Sequence, residues 1–429
     1  MKIGKIQLTK QQAIFVAVVG GIVLIFALIF LGAIPGKRSS ILKTDLTVWG
    51  IDDSRAWTQT ISRFRRVYPN VSIKYEEIDP SNYETELINA LAAGKGPDVF
   101  MFSSKWLPKH GDKVAPISPD KMTPVTFSGL FTQVAEKDFI SDDRIYVMPL
   151  TADTLAMIYN RDIFDQNQIV FPPKTWDEFS EDVLKITRKS GDNITQSAAS
   201  IGGTSKSVPN APDLISLLML QGGAPMVNKS LNRADFNPGG EEAVALYTKF
   251  ADKTSKYYTW NDSFAPSNES FAAGKTAVAF GYPDDVKNIK DINPFIDLGI
   301  HQIPQMDLTA PVNFANYWGL AASIQTNNKN VAWDFIIFAT TDNDSANSYI
   351  NETGRTPALR SLINTYLNNP NIGVFAAQAL TAASWPQIDN NEISKAFDDM
   401  INSVISEGNT PADAIKEARS EVTQLMRAE

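Results

Sequence analysis

The sequence predicts an α/β fold in which helices cover a parallel β-sheet. Five segments between Asp45 and Phe102 alternate between strand and helix periodicity, and this β-α-β-α-β order is typical of such a sheet. The chain also has 429 residues, of which 43% are hydrophobic and 20% are charged. A globular chain of this length exceeds one small core and fits two or three domains or lobes.

The first five elements can be assigned from their apolar spacing. Trp57, Ile61 and Phe64 recur at helical intervals, whereas Ile73 and Tyr75 belong to an alternating run that is typical of a strand. The predicted elements are the strand 45–49, the helix 54–68, the strand 71–75, the helix 83–93 and the strand 98–102. Ligands of such sheets bind beyond the carboxyl ends of the strands, which points to residues 49–53 and 103–106.

Several later elements have recognisable start signals. Thr175 followed by Glu178 predicts a capping box at the start of a helix, and Thr410 followed by Pro411 predicts another helix start. Further helices are predicted over 212–221, 239–254, 331–340 and 411–428. Residues 188–212 are rich in Ser, Gly, Asn and Pro and are predicted to form a loop.

The first 38 residues differ from the rest of the chain. Lys2, Lys5 and Lys10 precede an uncharged run of 22 residues, 13–34, which is long enough to cross about 30 Å of hydrocarbon as a helix. A cleaved signal has a shorter apolar stretch and a small residue where this chain has Leu31. We favour a transmembrane anchor at 13–34 over a cleaved signal, with 1–12 as a cytoplasmic tail. The protein is then expected at the cell membrane, single-pass, with its C-terminal part outside the cytoplasm.

The charge balance argues against nucleic acid as a partner. The chain has 39 Lys and Arg against 48 Asp and Glu, and five of the basic residues lie in the first 38 positions, where there is no acidic residue. The acidic excess therefore lies after the apolar run. A domain this acidic is a poor match for nucleic acid or for an anionic membrane surface.

The residue types that many catalytic and metal sites need are scarce. The chain has no Cys, and neither of its two histidines, His110 and His301, lies in a metal or Ser-His-Asp signature. A glycosidase would need two carboxylates across a cleft, and the pairs 52/53, 142/143 and 284/285 qualify only by residue type. We therefore expect no enzyme activity, no cofactor and no metal, with an exported enzyme as the alternative.

The stretch FAAGKTAVAFG, residues 271–281, contains the GKT that ends a phosphate-binding loop. That loop requires G-x-x-x-x-G-K-[ST], so that successive backbone N–H groups can surround the phosphate. Glu269 stands where the first glycine should be, and its carboxylate would repel phosphate. We favour the alternative, a helix that ends at Gly274 followed by a strand from Ala277 to Phe280.

Seven of the eight tryptophans fall into two groups. Three lie on predicted core faces of helices, Trp57, Trp176 and Trp333. Four others lie at predicted strand ends or in loops beside polar residues, and these are Trp49, Trp106, Trp318 and Trp385. An exposed indole can stack on the apolar face of a sugar ring, although each of the four could instead fill an irregular edge of the core. Together they favour a sugar-sized cleft.

Seven stretches, by their order and spacing, carry a resemblance to a known family. They are LTVWG (46–50), LAAGKGPDVFMF (91–102), YVMPLTADTLAMIYNRDIF (146–164), PPKTWDEF (172–179), FAAGKTAVAFGY (271–282), YWGLAASIQTNNKNVAWDFIIF (317–338) and GRTPALRS (354–361). From Asp45 onwards the chain resembles the extracellular solute-binding proteins of ABC importers, family 1, which includes the maltose and multiple-sugar binding proteins. In that family F-x-x-G-K-x-A is a helix-to-strand junction.

The resemblance implies a two-lobed periplasmic-binding-protein-like fold of type II, with the ligand cleft between the lobes and the predicted transmembrane helix before it. One lobe would comprise 45–150 with 315–365, and the other 151–314 with 366–429, after a linker at 35–44. The chain is expected to cross between the lobes near 150–153, 311–314 and 362–370. Closure about these crossings would bury the ligand.

The resemblance also implies which positions face the ligand. They follow strands or lie at the crossings, and they are Trp49, Asp52, Ser103, Ser104, Trp106, Thr151, Asp153, Tyr282, Trp318, Arg355 and Trp385. Relatives often have Trp where this chain has Tyr282, which keeps a ring for stacking and adds a hydroxyl. Relatives commonly also have a cleavable signal or a lipid-modified Cys, for which an integral anchor would substitute.

The function implied by the resemblance is capture of a sugar or oligosaccharide by lobe closure and its delivery to an ABC transporter permease. The expected partners are the saccharide, the permease subunits and, through the N-terminal helix, the membrane, and the protein is expected to be a monomer. The alternatives are an exported carbohydrate-active enzyme, a ligand sensor that uses the same cleft, and a structural domain with a filled cleft. Binders of polyols and phosphorylated glycerols also occur in the family.

Overall fold

The computed structural model describes residues 43–191, 193–236 and 239–427. The predicted cytoplasmic tail and the predicted transmembrane segment 13–34 lie outside these described residues. Within the described part of the chain, no helix has the length and apolar character needed to cross a membrane.

Sixteen strands are formed by the described residues. They are β1 (Thr44–Gly50), β2 (Val71–Glu77), β3 (Val99–Ser103), β4 (Ile140–Ser141), β5 (Arg144–Ile145), β6 (Met148–Pro149), β7 (Ala156–Asn160), β8 (Arg188–Ser190), β9 (Asn193–Ala199), β10 (Met226–Val227), β11 (Ala234–Asp235), β12 (Thr276–Gly281), β13 (Leu298–His301), β14 (Asn313–Phe314), β15 (Trp318–Ala322) and β16 (Ala382–Ala383).

The α-helices span Arg55–Val67, Tyr83–Ala92, Leu107–His110, Pro124–Leu130, Gln133–Phe139, Arg161–Gln166, Trp176–Ile186, Ala211–Gln221, Gly240–Thr248, Ser267–Ala272, Pro283–Ile292, Lys329–Thr341, Asn343–Thr353, Arg360–Tyr366, Gly373–Gln378, Asn390–Ile405 and Pro411–Leu425. The capping box is present as predicted, because the N–H of Glu178 donates to the Thr175 hydroxyl at 3.2 Å and the Glu178 carboxylate accepts the N–H of Thr175 at 3.3 Å. The helix predicted over 239–254 is shorter.

The first sheet has the strand order β2-β1-β3-β15-β6. β1 is parallel to both β2 and β3, with Val48 opposite Tyr75 on one side and Val99 on the other. The parallel arrangement predicted for the first three strands is therefore confirmed. β15 comes from much later in the chain and is antiparallel to β3 and β6, so the complete sheet is mixed.

The second sheet has the order β13-β7-β12-β9-β8. Both β8 and β9 lie in the stretch 188–212, so the loop prediction is wrong for that part. β9 pairs in parallel with β12, with Ser197 opposite Thr276, and the N–H of Ala198 donates to the Thr259 hydroxyl at 2.8 Å. These distant partners hold a strand whose small and polar residues give no local strand signal. The predicted helix-to-strand junction at Gly274 is confirmed by the helix Ser267–Ala272 and β12.

The molecule has two lobes, each with a sheet and its own core. Lobe 1 contains the first sheet, and its core gathers side chains from 46–152 and 315–379. Lobe 2 contains the second sheet, and its core gathers side chains from 155–314 and 385–426. Trp57 is buried in the first core, as the helical spacing predicts. The lobe boundaries at 150, 315 and 365 stay predictions.

Three extended segments run side by side where the lobes join. Thr151 forms a β-bridge with Pro357, and Thr154 forms one with Ala315. The N–H of Asn316 also donates to the backbone carbonyl of Asp153 at 3.0 Å. Because hinges are a few residues at element ends that absorb a rotation, these segments are the natural position for lobe movement.

Candidate ligand-binding cleft

A cavity of about 140 Å³ opens where the crossing segments meet the two lobes. Four of the predicted site residues line it, namely Asp153, Tyr282, Trp318 and Arg355. The remaining lining residues were not predicted, and these are Pro283, Asp284, Asp285 and Asn316. The structure therefore brings together predicted positions that are more than 200 residues apart in sequence.

Arg355 is the centre of the charged part of this cavity. The preceding Gly354 has φ of 70°, a left-handed conformation that suits glycine and ends the helix Asn343–Thr353. The guanidinium then pairs with the carboxylates of Asp52 at 3.2 Å, Asp153 at 3.4 Å and Asp284 at 2.8 Å. These groups come from both lobes and from a crossing segment, so the cluster bridges the cleft.

The cluster perturbs the acidity of its members. Burial raises the pKa of Asp153 to about 6, although Arg355 opposes the shift. Burial also raises the pKa of Asp284, against the same guanidinium. For Arg355 burial lowers the pKa, but the three carboxylates together outweigh it, so the pKa of Arg355 is raised and the side chain stays charged.

Asp52 is held from the lobe 1 side. It follows β1 at the carboxyl edge of the first sheet, where the sequence places ligand-binding loops. The hydroxyl of Tyr349 donates to its carboxylate, and the hydroxyl of Tyr75 donates to its backbone carbonyl at 2.6 Å. Burial and the Asp52 charge hold the pKa of Tyr349 well above its usual value. Asp52 therefore acts on the cavity through Arg355.

A second polar cluster spans the cleft beside the first. The carboxylate of Asp213 accepts from Lys105 at 2.6 Å, from the Tyr282 hydroxyl at 2.8 Å and from the Asn316 amide at 3.0 Å. Lys105 and Asp213 have side chains only 11% and 10% exposed. Burial and the Asp213 carboxylate raise the pKa of Tyr282 well above its usual value. The hydroxyl of Tyr282 is thus already used within the protein, while its ring lines the cavity.

Sequence reasoning missed four residues of the two clusters, and signals existed for only some of them. Lys105 lies inside the stretch 103–106, which the sheet order predicts to be near a ligand, and Asp284 belongs to the acidic pair 284/285. Asp213 and Asn316 carried no such signal, because each is placed by long-range packing. Their contact with each other joins positions 103 residues apart.

The two tryptophans Trp106 and Trp318 are in contact but differ in exposure. Their rings meet edge to face at 5.3 Å. Trp318 is partly exposed and lines the cavity, as expected of a ligand-stacking residue. Trp106 is only 4% exposed and stacks on Tyr83. Its indole fills the core below Trp318, which differs from the exposed platform that its loop position predicted.

Trp385 also occupies a core position. Its indole is 3% exposed, stacks on Phe397 and meets Phe236 edge to face, and its N–H donates to the Ser216 hydroxyl at 3.2 Å. The ring thus packs in the lobe 2 core, whereas the resemblance implied a position facing the ligand. Trp49 is half-buried against the lobe 1 core.

The three predicted hydroxyl residues are buried and bonded to the backbone. The Ser104 hydroxyl accepts the N–H of Tyr317 at 3.3 Å, and the Thr151 hydroxyl accepts the N–H of Trp318 at 3.3 Å. The Ser103 hydroxyl accepts the N–H of Lys105 at 3.4 Å. In this arrangement they position the loop after β3 and the first crossing, and they do not line the cavity.

A larger depression of about 960 Å³ lies on lobe 2, lined among others by Lys189, Tyr258 and Phe264. It contains none of the predicted site residues and lies apart from the crossing segments. Size alone does not make a binding site, whereas the smaller cavity combines two lobes, a hinge and convergent polar groups. We therefore take the smaller cavity as the candidate site.

The comparison with known proteins decides the family. The sequence profile of bacterial extracellular solute-binding proteins matches residues 59–373. The chain belongs to this family. The resemblance argued from the seven stretches is thereby confirmed.

Individual relatives agree with this assignment. The maltotriose-binding protein of Pyrococcus abyssi is 23% identical over 300 residues, which cover 69% of this chain and 62% of that protein. The diacetylchitobiose binding protein of Streptomyces coelicolor is 23% identical over 397 residues, 89% of each chain. The crystal structure of a cyclic alpha-maltosyl-1,6-maltose binding protein from Arthrobacter globiformis is 19% identical and has a TM-score of 0.76, covering 90% of this chain and 100% of that one. This likeness confirms the two-lobed α/β fold.

Proposed function

We propose that this family member captures a sugar or oligosaccharide between its lobes and delivers it to an ABC transporter permease. Relatives that are named for binding maltotriose and diacetylchitobiose support the saccharide class, and membership of the solute-binding family supports the transport role. An N-terminal transmembrane helix at 13–34 would hold the monomer at the outer face of the membrane.

The observation that carries the proposal is the composition of the interlobe cavity. Trp318 comes from β15 of the first sheet, whereas Tyr282 and Asp284 follow β12 of the second. Rings can stack on the apolar face of a sugar, and Asp284 and Arg355 can bind its hydroxyls. A ligand that contacts both lobes stabilises the closed arrangement over the open one, because only differential contacts shift such an equilibrium.

Ligand screening tests this proposal directly. The full-length protein in detergent micelles is screened by thermal shift against mono- and oligosaccharides, polyols and amino acids, and the hits are followed by Trp fluorescence. A ligand at a hundred times its Kd adds about 2.7 kcal/mol of stability. Trp318→Ala should weaken binding, and the matched control Phe295→Ala, which removes a 95% exposed ring outside the cavity, should not.

Two outcomes would count against the proposal. Absence of a thermal shift with every saccharide would remove sugars as the ligand class. Chemical conversion of a bound saccharide, detected by chromatography after incubation, would favour the carbohydrate-active enzyme instead. A saccharide recovered unchanged, together with loss of its uptake when the gene is deleted, is the expected result.

The membrane anchor needs its own experiment. Membranes that contain the full-length protein are washed with alkaline carbonate, and the N-terminus of the retained protein is sequenced. An uncleaved anchor predicts retention in the membrane and a sequence that still contains residues 13–34. Release of a protein that begins near residue 34 would identify a cleaved signal instead.

A further inference from the structure

The charges around the interlobe cavity are unbalanced. Among the described residues that line it, Asp153, Asp284 and Asp285 carry carboxylates, while Arg355 is the one cation. Arg355 is shared further with Asp52. One guanidinium therefore pairs with three carboxylates, those of Asp52, Asp153 and Asp284.

The protein satisfies Asp285 and the neighbouring polar cluster by other means. Asp285 accepts the N–H of Tyr282 at 2.8 Å and two side-chain amides at 2.7 and 2.9 Å. Lys105 on the neighbouring wall is neutralised by Asp213 at 2.6 Å. Neither group leaves a charge for Asp153 or Asp284, and Lys287, whose charge also acts on Asp284, is paired with Asp291. The deficit of positive charge therefore stays with the Arg355 cluster.

Asp284 is the carboxylate most available to a ligand. Its side chain is 50% exposed, and within the described part of the chain Arg355 is its only ion-pair partner. It lies in the first turn of the helix Pro283–Ile292, whose positive end supplies about half a charge. That half charge is shared with Asp285, so it does not balance the cluster.

Two aromatic rings line the same cavity. The indole of Trp318 and the ring of Tyr282 both border it beside Asp284. An aromatic face attracts a cation within about 6 Å, so both the two rings and the carboxylate of Asp284 favour a positively charged ligand. A neutral sugar can use the rings and hydrogen bonds but leaves the negative charge uncompensated, and an acidic sugar adds to it.

We propose that the cleft selects saccharides that carry a basic amino group over their neutral and acidic counterparts, and that Asp284 receives the ammonium group. The inference rests on the proposed function and narrows its ligand class. Burial raises the pKa of Asp153 and of Asp284, and Arg355 offsets only part of that shift. A bound ammonium group supplies the missing charge.

The test uses sugars that each differ from the parent sugar at a single carbon. Glucosamine and galactosamine, and their short oligomers, are compared with the N-acetylated forms, the parent sugars and the uronic acids by titration calorimetry at pH 7 with the full-length protein. We expect the free amine to bind about tenfold or more tightly than its N-acetyl form, since a hydrogen bond to a charged group is worth that much. Added salt should reduce the difference.

Two variants assign the effect to Asp284. In Asp284→Asn the ratio of amine to N-acetyl affinity should fall to within about threefold. The control Asp297→Asn removes a carboxylate of similar exposure that also pairs with an arginine, Arg161, and does not line the cavity, and it should keep the ratio. The double comparison separates a local charge effect from the acidity of the whole protein.

The failure of this inference differs from the failure of the proposed function. Neutral saccharides that bind as well as the amines, or a ratio that survives in Asp284→Asn, would overturn the amine selectivity and leave a sugar-binding protein. A protein that binds no saccharide of any charge would overturn both. Amine selectivity that disappears in Asp284→Asn and persists in Asp297→Asn is the supporting result.

Discussion

Replacement of Asp153 by Asn is expected to remove a pH dependence from the stability of the protein. Burial raises the pKa of Asp153 to about 6, against an ordinary value of 3.8. The folded state therefore binds a proton more tightly than the unfolded state, and stability falls as the pH rises from about 4 to about 6. Each pH unit is worth about 1.4 kcal/mol. Because Asp153 is only 2% exposed, solvent screening is small and the total is about 3 kcal/mol.

The measurement compares urea unfolding of the native protein and Asp153→Asn at several pH values between 4 and 7, followed by circular dichroism and Trp fluorescence. The stability of the variant minus that of the native protein should rise by about 2–3 kcal/mol over this range, whatever constant effect the substitution has. The control Asp291→Asn changes an exposed carboxylate and should give parallel curves. Parallel curves for Asp153→Asn would refute the reasoning, because they would mean that Asp153 titrates alike in both states.

Three further predictions concern the surroundings of the cleft. Lys105→Met leaves the buried Asp213 carboxylate without its cation and should destabilise the protein by about 3 kcal/mol, which urea unfolding measures, and the double variant with Asp213→Asn should recover part of the loss. Trp106→Ala should destabilise the protein by about 3–5 kcal/mol, because the Trp106 ring is buried in the core. Trp318→Ala should chiefly weaken saccharide binding, by about tenfold in calorimetric titration. Equal losses of stability in the two variants would contradict this division. Gly202→Ala should destabilise the protein by more than about 1 kcal/mol, because φ is 98° and the added Cβ would lie 2.9 Å from a backbone nitrogen. The loss of stability should appear as a lower Tm, and an unchanged Tm would contradict this prediction.

Local rules account for the part of the fold that the sequence predicted. The first three strands and the capping box at Thr175 depend on side-chain period and on contacts within four residues, so they can be identified in a single sequence. β9 depends instead on pairing with β12 and on the hydroxyl of Thr259. Its Ser- and Ala-containing segment resembles loop until those partners are present.

The site divides in the same way. The carboxyl edge of the first sheet predicted the loop that holds Asp52, and the family resemblance implied Asp153 at the first crossing. The structure joins both to Arg355. Exposure could not be predicted from position at a strand end. Trp106 and Trp318 lie in comparable settings in the sequence, yet one ring packs beneath the other, and only the complete core decides which one reaches the cavity.

Because charged contacts already join the two lobes, the measured affinity for a ligand depends on which of those contacts the ligand replaces. Arg355–Asp284 and Lys105–Asp213 join groups on opposite sides of the cleft, and Lys109 pairs with Asp389 at 2.7 Å farther along. A ligand that binds Asp284 must share or displace a partner that the protein already supplies. Its binding free energy is then the difference between two sets of charged contacts, and not the sum of the new ones. This exchange favours a ligand that brings its own positive charge, because such a ligand adds to the Arg355 cluster without leaving any carboxylate unpaired.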